Sequence, residues 1–229
     1  IAFVPEKFKS LAPAGYEAGG KIDRLCGFVD LAPTLLSIVG IEPPAYMQGD
    51  AIMGEYPTPD PQYMYGFRGR MDERYDCVRT VRNERYQYIR NFMPHKIYGQ
   101  YIAYMFQTPT TQKWKELYDA GELEAPKTYF WETKPAEELY DLQADPDEVV
   151  NLADDPKYAD IKAELKKALF DKMAEVRDLG LLAEAEFHAR SVGSTPYEMG
   201  HDPSKYDFEK IAAAADIATS LDPNVTGEL

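Results

Sequence analysis

Apolar residues recur at helical spacing in several stretches and alternate in others. The strongest stripe covers residues 157–177, where Tyr158, Ile161, Leu165, Leu169, Met173 and Val176 return every three or four positions among Lys and Glu. That repeat places one apolar face on a helix, so the longest helix is predicted over 157–177, with Gly180 ending it. A shorter helix is predicted from Asp30, an N-cap residue type, with Pro33 tolerated in its first turn. Leu31, Leu35, Ile38 and Val39 supply its apolar face, and Gly40 stops it. Residues 110–120 carry Trp114, Leu117 and Tyr118 at helical spacing before Gly121, and residues 208–220 are Ala-rich.

Alternation and β-formers predict strands over 1–5, 63–67, 76–82, 85–91 and 138–142, with 21–28 extended. Asn83 and Glu84 alone separate two of these runs, which is the spacing of a two-residue hairpin. On its second arm Tyr86, Tyr88 and Arg90 share one face, and Gln87, Ile89 and Asn91 the other. The intervening stretches read as loops: 6–20 with Pro13, Gly15, Gly19 and Gly20; 41–49 with its two prolines; the Pro-punctuated linker 56–62; 92–109; and the polar 184–207. Asp145-Pro146, Asn151 and Asp155-Pro156 mark turns. No internal repeat is found. A strand and helix at the front, then antiparallel strands with a long covering helix, indicate an α+β protein behind the remnant of an α/β unit. The expected division is 1–62, 63–180 and 181–229.

Composition narrows the function classes. A net charge of −14 over 229 residues argues against a general nucleic-acid binder, and no apolar run is long enough to span a bilayer. The chain opens on IAFVPEKF, which lacks the pattern of a signal peptide and reads as the middle of a strand. A longer protein is therefore expected upstream, together with any export signal. Cys26 and Cys77 have no metal-type spacing and are expected to be buried structural thiols.

Against this acidic background, residues 63–91 (YMYGFRGRMDERYDCVRTVRNERYQYIRN) contain seven Arg interleaved with five Tyr. Arg79, Arg82, Arg85 and Arg90 fall on strands, where ion pairs and exposed sheet positions account for them. The loop 68–74 differs. Arg68, Arg70 and Arg74 offer planar forks that suit oxyanions, and Asp72 and Glu73 are acceptors for hydroxyl groups. His95, among aromatics, is the best-placed His, whereas His188 and His201 read as surface residues. Tyr98, Tyr101, Tyr104, Phe106, Trp114 and Tyr118 are expected mostly as core between sheet and short helix. The carboxylates Asp145, Asp147, Glu148, Asp154 and Asp155 lack the spacing of a calcium loop and read as turn and helix-start residues.

Three segments in order resemble the sulfatases: FVDLAPTLLSIVGIEPPAYMQG (28–49), RGRMDERYDCVRTVRNERYQYIRN (68–91) and EELYDLQADPDEVVNLA (137–153). The nearer likeness is to bacterial sulfatases related to heparan N-sulfatase. The resemblance implies an alkaline-phosphatase-like fold, in which a large α/β domain carries the active site. Beside it packs a small antiparallel sheet covered by one long helix, and this chain would be the C-terminal part. It further implies a nucleophile in a C/S-x-P-S/A-R motif, oxidised to formylglycine, and a Ca²⁺ ion held by Asp and Asn. Neither CGFVD nor CVRTV fits that motif, so both groups are expected upstream, with no catalytic and no metal residue in this chain. Sulfate ester or sulfamate hydrolysis follows by resemblance, on a sulfated saccharide such as a glycosaminoglycan or on an aryl sulfate. Arg68, Arg70, Asp72, Glu73 and His95 would contact the substrate. The expected partners are that substrate and the N-terminal sulfatase domain, with no nucleic acid and no membrane, in a periplasmic or secreted setting. A phosphodiesterase or phosphonate hydrolase of the same superfamily, or a non-catalytic module, are the alternatives.

Overall fold

The computed structural model describes residues 3–220. The described residues divide into two compact units, the first running to Tyr65 with the hairpin tip 82–84, the second taking 66–81 and the described residues from Arg85 onward.

In the first unit, helix α1 (Leu31–Ile38) follows a 3₁₀ turn at Phe28–Asp30. That extra turn displaces Asp30 from capping α1. Its carboxylate instead accepts the N–H groups of Gly27 and Asp50, both at 2.8 Å. The Thr34 hydroxyl accepts the Ile52 N–H at 3.0 Å, and Ser37 Oγ accepts the Tyr56 N–H at 2.8 Å. Residues 30, 34 and 37 lie on one helix face, so a polar stripe holds the returning chain 50–56. Gly54 makes the approach possible, since a Cβ there would lie 2.3 Å from Ser37 Oγ. The predicted apolar stripe faces solvent: Leu31, Leu35 and Val39 are exposed, as is Phe28 at 92%. The strand expected over 1–5 is absent from its described residues 3–5, for no neighbouring strand offers them a ladder. Ile1 and Ala2 lie outside the described residues. Part of the loop expected over 6–20 is a 3₁₀ turn, Glu6–Leu11.

The sheet has the order β1 (Met64–Arg68), β2 (Val78–Arg82), β3 (Tyr86–Asn91), β4 (Glu137–Asp141). β3 and β4 are antiparallel, with Tyr88 opposite Leu139 and Arg90 opposite Glu137. Helix α3 (Ala159–Glu175) packs on β3 and buries Leu165, Leu169 and Met173. This small antiparallel sheet under one long helix is the arrangement the sequence implies. Asp155 starts the helical segment by accepting the Lys157 N–H at 3.0 Å, and Asp145 accepts the N–H groups of Val149 and Val150. α3 ends ahead of Gly180, where Arg177 takes a left-handed φ of 52°. Helix α2 (Pro109–Asp119) ends before Gly121, φ 68°.

An aromatic cluster surrounds buried Trp131, which meets Phe106, Trp114, Tyr118 and Phe130. Tyr101 and Tyr104 are not core; they are exposed. Cys77 is buried as expected, but Cys26 is exposed.

Helices α4 (Glu184–Arg190), α5 (Pro196–Gly200) and α6 (Phe208–Ala218) follow, with α4 and α5 where a polar loop is expected. α5 opens with a reciprocal pair: Thr195 Oγ1 accepts the Glu198 N–H at 3.1 Å, and Glu198 accepts the Thr195 N–H at 2.9 Å. That capping box is a sequence-visible signal, and Pro196 at the first helical position reinforces it. Arg90 forms an ion pair, as expected, but a buried one and not at an exposed sheet position. It is 1% exposed and ties β3 to α6, donating to the Asp216 carboxylate (2.7 Å), the Asp216 carbonyl (2.8 Å) and Thr219 Oγ1 (2.7 Å). Its Nη1 donates to the carbonyls of Asn91 and Ala136, both at 2.9 Å.

Candidate functional site

The loop leaving β1 doubles back tightly. Met71 and Arg74 exchange backbone hydrogen bonds at 2.8 and 3.0 Å, with Asp72 at the tip in a left-handed conformation, φ 50°.

A buried charge cluster anchors the base of this loop. Asp76 and Lys134 are both fully buried, and Lys134 Nζ lies 2.6 Å from each Asp76 oxygen. The Cys77 N–H adds a bond to Asp76 at 2.9 Å, and Arg68 Nε stands 3.4 Å away. Arg68 Nη2 donates to the Tyr98 carbonyl at 3.0 Å. Burial, reinforced by Arg74 nearby, lowers the pKa of Arg68. Behind this pair, the buried Glu138 accepts from Asn91 Nδ2 and from the hydroxyls of Tyr98 and Tyr140, each at 2.6 Å. Burial, then the Glu138 charge, pushes both phenols far above their usual range, so they remain donors.

The remaining loop residues fare differently. Glu73 accepts the Ala103 N–H at 2.6 Å, a bond that holds its carboxyl below the usual glutamate range. Arg74 Nη2 lies 3.5 Å from Met71 Sδ. Asp72 is exposed at the tip. Arg70 Nη1 donates to Glu184 Oε2 at 2.6 Å, and both side chains stay open to solvent, at 58% and 42%. His95 is exposed in a turn closed by the Lys96 N–H on the Met93 carbonyl.

Between this loop and the segment 180–187 lies a cleft of about 350 Å³. Arg70, Tyr75, Arg79, Leu182, Glu184 and Phe187 line it. Arg79, expected as an ordinary strand residue, is buried there and held by Asp178 through two bonds of 2.5 and 2.9 Å. Of the predicted contact residues, Arg70 reaches this cleft; Arg68, Asp72, Glu73 and His95 do not line it. Sequence reading misses Tyr75, Glu184 and Phe187. The last two sit on α4, whose signal is weak because EAEFHAR is a single short amphipathic segment.

The Ca²⁺ ion and formylglycine that the resemblance implies find no matching donors here. Among the described residues no cluster of three His, Cys, Asp or Glu could hold a metal. The thiol of Cys77 is buried, and burial raises its pKa, which is the reverse of an activated nucleophile.

No family model matches the chain. It is 39% identical over 175 residues to an ulvan-active sulfatase of Formosa agariphila, covering 76% of this chain and 29% of that protein. A second ulvan-active sulfatase of the same organism is 30% identical over 173 residues, covering 73% of this chain and 32% of the relative. The uncharacterized sulfatase YidJ of Escherichia coli K12 is 23% identical over 158 residues, covering 69% and 24%. The chain thus spans about three tenths of the length of the first two relatives. Among solved structures, a 2-O GAG sulfatase superposes with a TM-score of 0.46 at 25% identity, covering 69% of this chain and 27% of that one. A structure in complex with its substrate D-glucosamine-2-N,6-O-disulfate gives a TM-score of 0.40 at 20% identity, covering 66% and 24%. Over about three quarters of its own residues the chain is thus homologous to named sulfatases.

Proposed function

We infer that this chain is the C-terminal portion of a sulfatase that hydrolyses sulfate esters or sulfamates of a sulfated saccharide. Its own residues supply substrate specificity, while the nucleophile and the metal ligands belong to sequence outside it. The observation that carries this reading is the 39% identity to an ulvan-active sulfatase. The relatives' activity on ulvan supports a substrate of that kind. The loop 68–74 supports an anionic one, because Arg70 presents an exposed guanidinium at a cleft. Arg68 and Glu73 act by holding the loop in place, and Asp72 and His95 remain accessible to a substrate from solvent.

The test compares two substrates in the full-length enzyme that contains this chain. Arg70→Ala should raise KM for a sulfated oligosaccharide about tenfold while leaving a small aryl sulfate within about twofold, as expected for loss of one charge-assisted contact. Equal effects on both would remove the specificity role. Sulfatase turnover by the 229-residue chain alone, with Ca²⁺ added, would show that the nucleophile lies within it and would overturn the division of labour.

A further inference from the structure

We propose that the cleft between loop 68–74 and segment 180–187 is a subsite for one anionic sugar unit, whose oxyanion replaces Glu184 on Arg70. This rests on the sulfatase reading and names the ligand class that its specificity loop would take. The cleft, at about 350 Å³, lies at the small end of ligand pockets, which run from roughly 300 to 1,000 Å³. Tyr75, Phe187 and Leu182 contribute aromatic and apolar surface to its lining.

The charges in the cleft differ in how firmly they are held. Arg79 is buried and gripped through two bonds by Asp178. Asp76 is neutralised from behind by Lys134. Arg70 and Glu184 are both exposed and joined by one bond, at Nη1. Exposed ion pairs of that kind hold weakly. A sulfate or carboxylate presents two oxygens to the guanidinium fork, where Glu184 uses one nitrogen. His188 Nε2, 4.0 Å from the other Glu184 oxygen, offers the released side chain an alternative neighbour. With Glu184 in place, Arg68, Arg70, Arg79 and Lys134 already exceed Asp76, Asp178 and Glu184 by one charge, and with Glu184 swung out the positive excess grows to two.

Calorimetric titration of the full-length protein that contains this chain tests this with three disaccharides: one bearing a single sulfate ester, one a single uronate carboxylate, one neutral. At least one anionic probe should bind, the neutral one should not, and the two anionic arms distinguish sulfate from carboxylate recognition. Arg70→Ala should weaken binding at least tenfold. Glu184→Gln should tighten it about three- to fivefold, the release of a weak competing pair, with an unchanged unfolding midpoint. If neither anionic probe binds better than the neutral one, or if Glu184→Gln leaves affinity unchanged or weaker, the subsite is refuted. The two readings fail separately: binding with this signature in a protein whose full-length form hydrolyses no sulfate ester sinks the sulfatase reading alone. Sulfate hydrolysis with no Glu184 effect sinks the subsite alone.

Discussion

Asp76 should be the costliest single residue to neutralise in the loop's foundation, more so than its partner Lys134. Both side chains are fully buried, yet their remaining contacts are unequal. Without Lys134, Asp76 keeps the Cys77 N–H at 2.9 Å and has Arg68 at 3.4 Å, a partly exposed guanidinium able to close in. Without the Asp76 charge, Lys134 is left buried and uncompensated, and Arg68 loses its carboxylate. Breaking a buried pair so that a charge is stranded costs about 3–5 kcal/mol. Asp76→Asn is therefore expected at that level, and Lys134→Met at about 1–3 kcal/mol. The double variant leaves no buried ammonium unpaired, only the partly exposed Arg68 without its carboxylate, and should cost no more than Asp76→Asn alone. Urea unfolding followed by tryptophan fluorescence reports the right unit, since both tryptophans, Trp114 and Trp131, lie in it. With a slope of about 2–3 kcal/mol/M, the Asp76→Asn midpoint should fall by about 1–2 M at unchanged slope. A larger loss for Lys134→Met, or additive losses in the double variant, would refute the asymmetry.

Arg90→Lys keeps the charge but cannot reproduce the fork onto Asp216, Thr219 and two carbonyls; it should cost about 2–4 kcal/mol and open the α6 end to limited proteolysis, and unchanged cleavage would count against the tether. In the native chain a thiol reagent should label exposed Cys26 quickly and buried Cys77 only on unfolding, which mass spectrometry of the labelled peptides would read. Burial works against the Glu137 charge, but the Tyr88 hydroxyl together with Lys166 and Lys162 outweighs it and holds the carboxyl below the usual glutamate range. Its stabilising contribution is therefore complete above the unfolded glutamate pKa and lost as pH falls through the lower folded value. Glu137→Gln should flatten that part of the acid limb, and an unaltered slope in urea midpoints between about pH 5 and about pH 3 would contradict it.

The hairpin and α3 were readable because their signals are local: Val, Tyr and Thr runs two residues apart, and a six-member stripe along one helix. α1 was readable as a helix but not in its orientation. Its polar face carries the burial because Asp30, Thr34 and Ser37 meet backbone N–H groups of residues 50–56, and such a long-range partner leaves no mark on the helix's own periodicity. α5 was readable in principle from the Thr195–Glu198 capping box inside a stretch otherwise rich in Gly, Ser and Asp. The cleft was half readable. Arg70 stands out beside the loop, whereas Glu184 and Phe187 arrive from more than a hundred residues further along.

The same reasoning separates the arginines of 63–91 better than their density does. In an acidic chain most of them find a carboxylate, so pairing alone identifies nothing. Solvent access of both partners decides. Arg79 is buried and Asp178 largely so, and Arg90 has almost no exposed surface on its side of its pair. Arg85 is half exposed, but its partner Asp141 is buried and also accepts the Gln143 N–H, so that pair belongs to the β4 turn. Arg70 and Glu184 are exposed together, and their bond costs little to exchange. Among the ion-paired arginines of the stretch, an anion arriving from solvent would therefore compete first at Arg70, and under the proposed reading the Arg70–Glu184 pair is where its effect should be measured.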